Sequence, residues 1–147
     1  MRDPYEKGKI LLKDINRVFH EKSNVEGRIL VVLNHSLTNR GLKLINAPSR
    51  ALRKYEIHEL IGTNEEASPG SEVKNVWYLG FFEVERGGVI TYGDSVWINN
   101  RKIGEVIGYD ETHMPNHLNI VIKLIELKTG LELGIKLNDK VIIGRTL

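Results

Sequence analysis

The chain has 147 residues, no cysteine, and 21 Lys and Arg against 19 Asp and Glu, for a net charge of +2. These values exclude a disulfide framework, a thiolate nucleophile, an iron–sulfur cluster and a cysteine zinc site, and the interspersed charges lack the concentrated basic face that nucleic acid binding requires. A hydrophobic share of 41% with 27% charged residues is that of a folded globular chain, and the length suits one domain over 1–147 with a core that needs no staples.

The N-terminus is polar, and its first apolar run, Ile10 to Leu12, stops at Lys13 and Asp14. That is neither a signal peptide nor a membrane span, so a cytoplasmic protein without membrane contact is expected. Leu11, Ile15, Val18 and Phe19 recur at helical spacing, with Asp14, Arg17 and Glu21 on the other face, which predicts a short helical extension within residues 1–24. Gly8 and the alternation of Ile10 and Leu12 would equally permit a strand there.

From Gly27 onward the pattern is one of strands and turns: period two, or short apolar runs bounded by Gly, Pro, Asn and Asp. Strands are expected at 28–33 (Arg-Ile-Leu-Val-Val-Leu), 41–45 and 55–61, the last with Tyr55, Ile57, Glu59 and Ile61 on one face and Glu56, His58 and Leu60 on the other. One helical turn at 49–54, with Ser49 as its N-cap, would separate the second and third. The aromatic run 75–85 (Asn-Val-Trp-Tyr-Leu-Gly-Phe-Phe-Glu-Val-Glu) reads as the centre of the core. Strands at 88–92 and 95–98 follow, then the hairpin dipeptide Asn99-Asn100, where both residues need positive φ, and its partner strand 102–109. The last strands fall at 118–127, 132–136 and 140–143.

One local motif recurs. Residues 93–98 (Gly-Asp-Ser-Val-Trp-Ile) and 138–143 (Asn-Asp-Lys-Val-Ile-Ile) share a turn residue, an Asp, then Val and Ile two and four positions on, and 69–73 (Pro-Gly-Ser-Glu-Val) is a looser third copy. An Asp there accepts backbone N–H groups and starts a tight turn, a structural role. Many short strands launched by such corners point to an all-β fold, a small antiparallel β-barrel with a short N-terminal helix.

Chemistry must come from His, Asp, Glu, Ser, Lys, Arg or a metal that they hold. No glycine-rich phosphate loop and no Gly-x-Ser-x-Gly elbow occurs. Of the five histidines, His20, His35, His58, His113 and His117, the last two lie in the polar loop Asp110-Glu111-Thr112-His113-Met114-Pro115-Asn116-His117. Asp110, His113 and His117 have the chemistry of a divalent-metal site. Pro115 interrupts a helix that would align the two imidazoles, and a strand would hold them roughly 13 Å apart at about 3.3 Å per residue, so only a folded loop could bring them together. His58 would join them if it faced the barrel lumen; as a lone strand histidine it reads first as a surface residue. The loop Asn34-His35-Ser36-Leu37-Thr38-Asn39-Arg40-Gly41 follows a buried strand, a place where binding residues collect, although Asn, Ser and Gly are also ordinary turn residues. Arg40, Lys43, Arg50, Arg53 and Lys54 make 40–54 locally basic, suited either to an anionic ligand or to a solvated face.

Residues 93–98, 103–108 (Ile-Gly-Glu-Val-Ile-Gly) and 116–123 (Asn-His-Leu-Asn-Ile-Val-Ile-Lys) resemble the glucitol/sorbitol-specific IIA component of the bacterial phosphotransferase system. The resemblance implies a small β-barrel with a Gly-Asp corner, a strand ending in Val-Gly and an Asn-containing loop leading to a histidine, and it would make His117 the phosphate-carrying position. Its loop is shorter here.

Three function classes follow. The first is a binding or assembly domain whose barrel mouth takes a small polar or anionic ligand, or a protein partner, through Asn34, His35, Asn39, Arg40, Arg53, His58 and Asn116. The second is a metal-dependent enzyme with His113 and His117 as ligands and Glu111 or Asp110 as base. The third is a phosphocarrier acting through His117. Two Trp, five Tyr and three Phe gathered in a few strands also predict an edge that pairs with a second subunit.

Overall fold

A computed structural model describes residues 22–147, so the helical extension expected before them lies outside the described residues. Strands β1 (Val25–Leu37), β11 (Lys140–Gly144), β8 (Ser95–Ile98), β9 (Arg101–Asp110), β10 (Asn119–Leu124), β4 (Ile57–Thr63) and β6 (Val76–Arg86) hydrogen-bond in that order, and β6 returns to β1 to close a barrel. Two short ribbons lie outside it, β2 (Leu42–Lys43) with β5 (Glu72–Val73) and β3 (Ser49–Leu52) with β7 (Gly88–Thr91). The all-β barrel matches the alternation of the sequence, with one departure from an antiparallel barrel: β10 and β4 run parallel, Asn119 beside Glu59 through Lys123 beside Thr63. Parallel neighbours need a long crossover, and here it is the whole chain between Thr63 and Asn119.

Four elements differ from the sequence reading. Residues 49–52 form β3 rather than a helical turn, because a ladder with β7, Ser49 opposite Thr91 through Leu52 opposite Gly88, outweighs the marginal stability of a single turn. Residues 132–136 form turns, held by Leu133 N–H to Thr129 O (2.9 Å) and Gly134 N–H to Leu131 O (3.0 Å). Leu133 and Ile135 still enter the core from them. The strand expected at 28–33 continues to Leu37 because β6 pairs with it that far, and 41–45 shrinks to Leu42–Lys43. Asn99 and Asn100 do take the positive φ of the hairpin, 52° and 65°.

The acidic corners are one turn used repeatedly. At Thr91–Asp94 the Asp94 N–H donates to Thr91 O (3.0 Å) and the Thr91 N–H donates to Asp94 Oδ2 (2.9 Å). Lys136–Asp139 repeats both bonds at 3.1 and 2.9 Å. In the looser copy Ser71 takes the place of Asp, its hydroxyl oxygen accepting the Ser68 N–H at 3.4 Å. A further copy at Arg53–Glu56 uses Glu56 Oε1, 2.8 Å from the Arg53 amide. Each has its third residue at positive φ, Gly93 (88°), Asn138 (70°), Gly70 (89°) and Tyr55 (78°), as a type II turn demands. The turn redirects the chain at β-strand ends while its first N–H is satisfied by a side chain.

Side-chain alternation places two cores on opposite sides of the barrel wall. Leu60, Phe82, Tyr109 and Ile120 belong to the interior cluster. Ile61, Ile107 and Val121 point outward and are covered by Leu42, Leu44 and Val73 of the outer ribbon. Gly108 permits this cover, since a Cβ there would stand 2.8 Å from Leu44 Cδ1. Strands β4, β9 and β10 are therefore buried on both faces. Along the outward face runs one row of register partners: Val31 (β1), Phe81 (β6), Glu59 (β4), Asn119 (β10) and Asp110 (β9). No helix among the described residues is long and apolar enough to cross a membrane.

Asp94 is 2% exposed and also accepts from Lys22 Nζ at 2.6 Å. Asp94→Ala leaves the Thr91 amide and the Lys22 ammonium without this acceptor and should cost about 1–3 kcal/mol. A urea midpoint unchanged from the parent protein would contradict the corner's role.

Candidate functional site

The row of register partners ends in carboxylates and amides that are out of water, so the chain must satisfy them internally. Asp110 closes the base of the 111–118 loop. Its Oδ1 accepts from Asn119 Nδ2 (3.0 Å) and the Thr112 amide (3.1 Å), and its Oδ2 from the Thr112 hydroxyl (2.9 Å). Above this base one helical-type turn, with the Asn116 N–H on His113 O at 2.9 Å and the His117 N–H on the same oxygen at 3.3 Å, encloses a cis Met114–Pro115 bond. The turn stacks the His113 and His117 rings, centroids 5.0 Å apart and planes 25° apart.

The folded loop thus joins the two histidines, yet no group of three His, Asp or Glu side chains among the described residues is arranged to hold a metal ion. Asp110 is engaged by Thr112 and Asn119 rather than turned toward the imidazoles. Glu111, expected as a base, forms an ion pair with Arg50 and lines a wide cleft of about 880 Å³ with Lys43, Asn46 and Ser71.

The acid beside His117 is Glu59. His117 is 9% and Glu59 6% exposed, and Nε2 lies 3.3 Å from Glu59 Oε1. The approach is close enough for charge pairing but not aligned as a hydrogen bond, and among the described residues His117 Nε2 and Asn119 Oδ1 are both buried without a hydrogen-bond partner. The ring stands edge-on to Phe81, centroids 5.0 Å apart, and its Nδ1 is 2.9 Å from Asn116 Nδ2. A donor on the Nδ1 side and acceptors of Glu59 and Asn119 on the other assign the imidazole proton to Nε2.

Electrostatics follow from burial. It pushes the Glu59 carboxyl up to about 7, opposed by Arg40 and reinforced by the Asp110 carboxylate. It pulls His117 below its ordinary value, as do the neighbouring His113 and His58, with the Asn119 side chain acting the other way. Glu56 feels a rise from burial, outweighed by the Arg53 amide and His58, and stays below the ordinary carboxylate value.

His58 is no surface residue. It is 7% exposed on the same face as Leu60, its Nδ1 accepting the Leu118 N–H (3.0 Å) and its Nε2 donating to Glu56 Oε1 (3.0 Å). Both nitrogens are occupied, so it anchors the start of β10 instead of facing ligand. The 34–41 residues divide: His35 and Arg40 meet at Tyr78, the first stacked on its ring (5.7 Å) and the second donating Nε to its Oη (3.3 Å), whereas Asn34 accepts from the Thr129 hydroxyl (2.8 Å) and Asn39 takes a positive φ of 57°. The basic stretch likewise spreads over separate elements, with Lys54 over the Tyr55 ring at 5.1 Å.

Beside His117 opens a cleft of about 570 Å³, lined by Leu30, Val31, Tyr55, Glu56, Ile57, Phe81, Asn116 and His117. Of the residues singled out in the sequence, Asn116 and His117 line it. Glu59, behind the imidazole, is the one that motif reasoning misses. Its signal is a lone carboxylate in the otherwise apolar series Tyr55, Ile57, Glu59, Ile61.

The raised Glu59 carboxyl has a stability consequence. Native protein keeps this proton to about 7 while the unfolded chain releases it near 4.5, so stability falls as pH rises between those values and is level above them, by up to about 3 kcal/mol. Glu59→Gln should abolish that fall, measured as denaturant midpoints near pH 5 and pH 8. The lowered His117 acts with opposite sign, costing stability as pH drops below 6.5. An E59Q profile that kept the parent's loss between pH 5 and pH 7 would place Glu59 in contact with water.

No curated protein and no solved structure matches the chain. One family model does, described as a family of unknown function (DUF6917), over residues 19–144. That range takes in every strand of the barrel, both outer ribbons and the loop that carries His113 and His117, and the chain belongs to this family.

Proposed function

We propose that the protein is a small-molecule binding barrel, its ligand having an apolar body and a polar head, seated in the cleft beside His117. The observation that carries the reading is the pairing of an apolar wall with a buried, incompletely bonded imidazole. Leu30, Val31 and Ile57 are 40%, 43% and 42% exposed, and Tyr55 is 72% exposed, all around one opening. Apolar side chains of this size left in water lose roughly 25 cal/mol for each Å² that a ligand could cover. The volume falls in the roughly 300–1,000 Å³ range of small-molecule sites, where a few polar groups fix orientation among apolar walls.

Asn116 and His117 supply those polar groups. Set against the wide cleft beside Glu111, this one has the apolar walls. The wide one on the other side mixes Lys43, Asp110 and Glu111 with backbone and is less suited to an apolar body.

The probe is 8-anilinonaphthalene-1-sulfonate, which joins fused rings to an anionic head. Its fluorescence should rise with the native protein, and Val31→Arg, a change at an exposed position, should weaken that binding about tenfold. Equal binding by V31R would remove the cleft from consideration.

A second reading keeps one supporting observation. His117, the position that the resemblance to the sugar-specific IIA component marks for phosphate, lines the cleft. Incubation with a phosphodonor protein followed by mass spectrometry of the peptide bearing His117 decides it; an unmodified peptide rejects phosphoryl transfer.

A further inference from the structure

Three polar side chains, each less than a tenth exposed, meet behind the His117 ring without completing one another's hydrogen bonds. His117 Nε2 and Glu59 Oε1 are 3.3 Å apart but out of line, and Nε2 has no hydrogen-bond partner among the described residues. Asn119 stands next to Glu59 in the register of β10 on β4. Its Nδ2 donates to Asp110 Oδ1 at 3.0 Å, which fixes the amide with Oδ1 turned the other way, toward the imidazole. That oxygen is also buried without a hydrogen-bond partner among the described residues. One nitrogen and two oxygens thus face a common point.

Their spacing tells what fits there. A water molecule bonded to both would sit about 2.9 Å from Nε2 and about 2.8 Å from Oε1, so that their 3.3 Å separation spans only about 70° at the water, far inside its tetrahedral directions. A metal ion at about 2.05 Å from the nitrogen and about 2.1 Å from the oxygen sees the same separation at about 105°, close to the tetrahedral angle.

We infer that His117 Nε2, Glu59 Oε1 and Asn119 Oδ1 bind a divalent transition-metal ion of the zinc type. One imidazole with two oxygen donors suits such an ion, and three protein donors leave a position for water or another ligand. Two of the donors are side by side on paired strands, so the sheet presets their spacing.

The surrounding groups complete the site. Glu59 brings one carboxylate into contact, and Asp110 sets a second behind the Asn119 amide, orienting its oxygen. Arg40 is the opposing charge, with its Nε donating to Tyr78 Oη at 3.3 Å. Coordination at Nε2 needs the ring proton on Nδ1, where the Asn116 amide lies at 2.9 Å. Half a turn of that amide offers its oxygen as the acceptor, as outer partners of metal-bound histidines do. The ring proton moves from Nε2 to Nδ1 through solvent, a proton held by Glu59 leaves to solvent, and no other bond changes. Neither His113, stacked on the ring face, nor Asp110, taken up by Thr112 and Asn119, is a donor to the ion. The apolar walls of the cleft take no part, so the ion site stands whether or not the cleft binds an apolar ligand.

The experiment is calorimetric titration of zinc chloride into tag-free protein stripped with a chelator, with thermal melting of each sample. The parent should bind one equivalent, and its melting midpoint should rise with zinc concentration. Glu59→Gln, which keeps the shape of the side chain, should weaken binding by about 100-fold or more, beyond the roughly 10–100-fold that an outer partner costs. His117→Gln should do the same, and His113→Ala should bind as the parent does. No saturable binding by the folded parent overturns the inference. Binding retained by both E59Q and H117Q marks an adventitious ion only and overturns it as well. Loss in H113A as complete as in H117Q would put the ion on the stacked histidine pair, which again overturns the assigned donors. Dye binding by the parent and V31R is read separately, so each of these failures leaves the cleft reading where it stands.

Discussion

Burial of β4, β9 and β10 on both faces is the constraint on which the rest of this structure depends. An ordinary barrel wall gives one face to the core and one to water. Here Leu42, Leu44 and Val73 close over Ile61, Ile107 and Val121, so the outward positions next in line have no solvent to fall back on. Glu59, Asn119 and Asp110 occupy those positions. Their polarity has to be met by one another, by Thr112 and by the imidazole of His117, and it is met only in part.

The unmet part is what gives the site its chemistry. Asp110 has three donors and serves as a structural post for the loop. Glu59 has only an imidazole at 3.3 Å, out of line for a hydrogen bond, and burial, with the Asp110 carboxylate nearby, keeps a proton on its carboxyl into the neutral range. A partly satisfied polar group held in a dry wall is costly to the fold, and such costs concentrate where a ligand or a reaction completes the bonding. The apolar cleft opens on the other side of the ring.

The turns contribute rigidity to this arrangement. Asp94, Asp139, Ser71 and Glu56 each return a side-chain oxygen to the amide three residues back. Glu56 does a second task, since the same oxygen holds His58, and His58 holds the Leu118 amide just before β10. A corner that looks purely structural is therefore linked through two hydrogen bonds to the residue following His117. The position of the imidazole against Glu59 is set by β-sheet register on one side and by this chain of bonds on the other.

The sequence by itself determined the all-β architecture, the hairpin at Asn99-Asn100 and two of the acidic corners, because these rest on side-chain alternation and on turn chemistry confined to neighbouring residues. It also marked 110–117 as the chemically dense loop and placed His117 and Asn116 in it. Only the tertiary structure decided that β4 runs parallel to β10, that Ser49–Leu52 is a strand, and that Glu59 rather than Glu111 stands behind His117. Those three depend on pairings between residues far apart in the chain, Glu59 with Asn119 and Ser49 with Thr91, for which no local pattern carries a signal. The second apolar cluster is of the same kind: period-two alternation tells which residues share a face, but which face a ribbon elsewhere in the chain will cover is settled only when the strands are assembled.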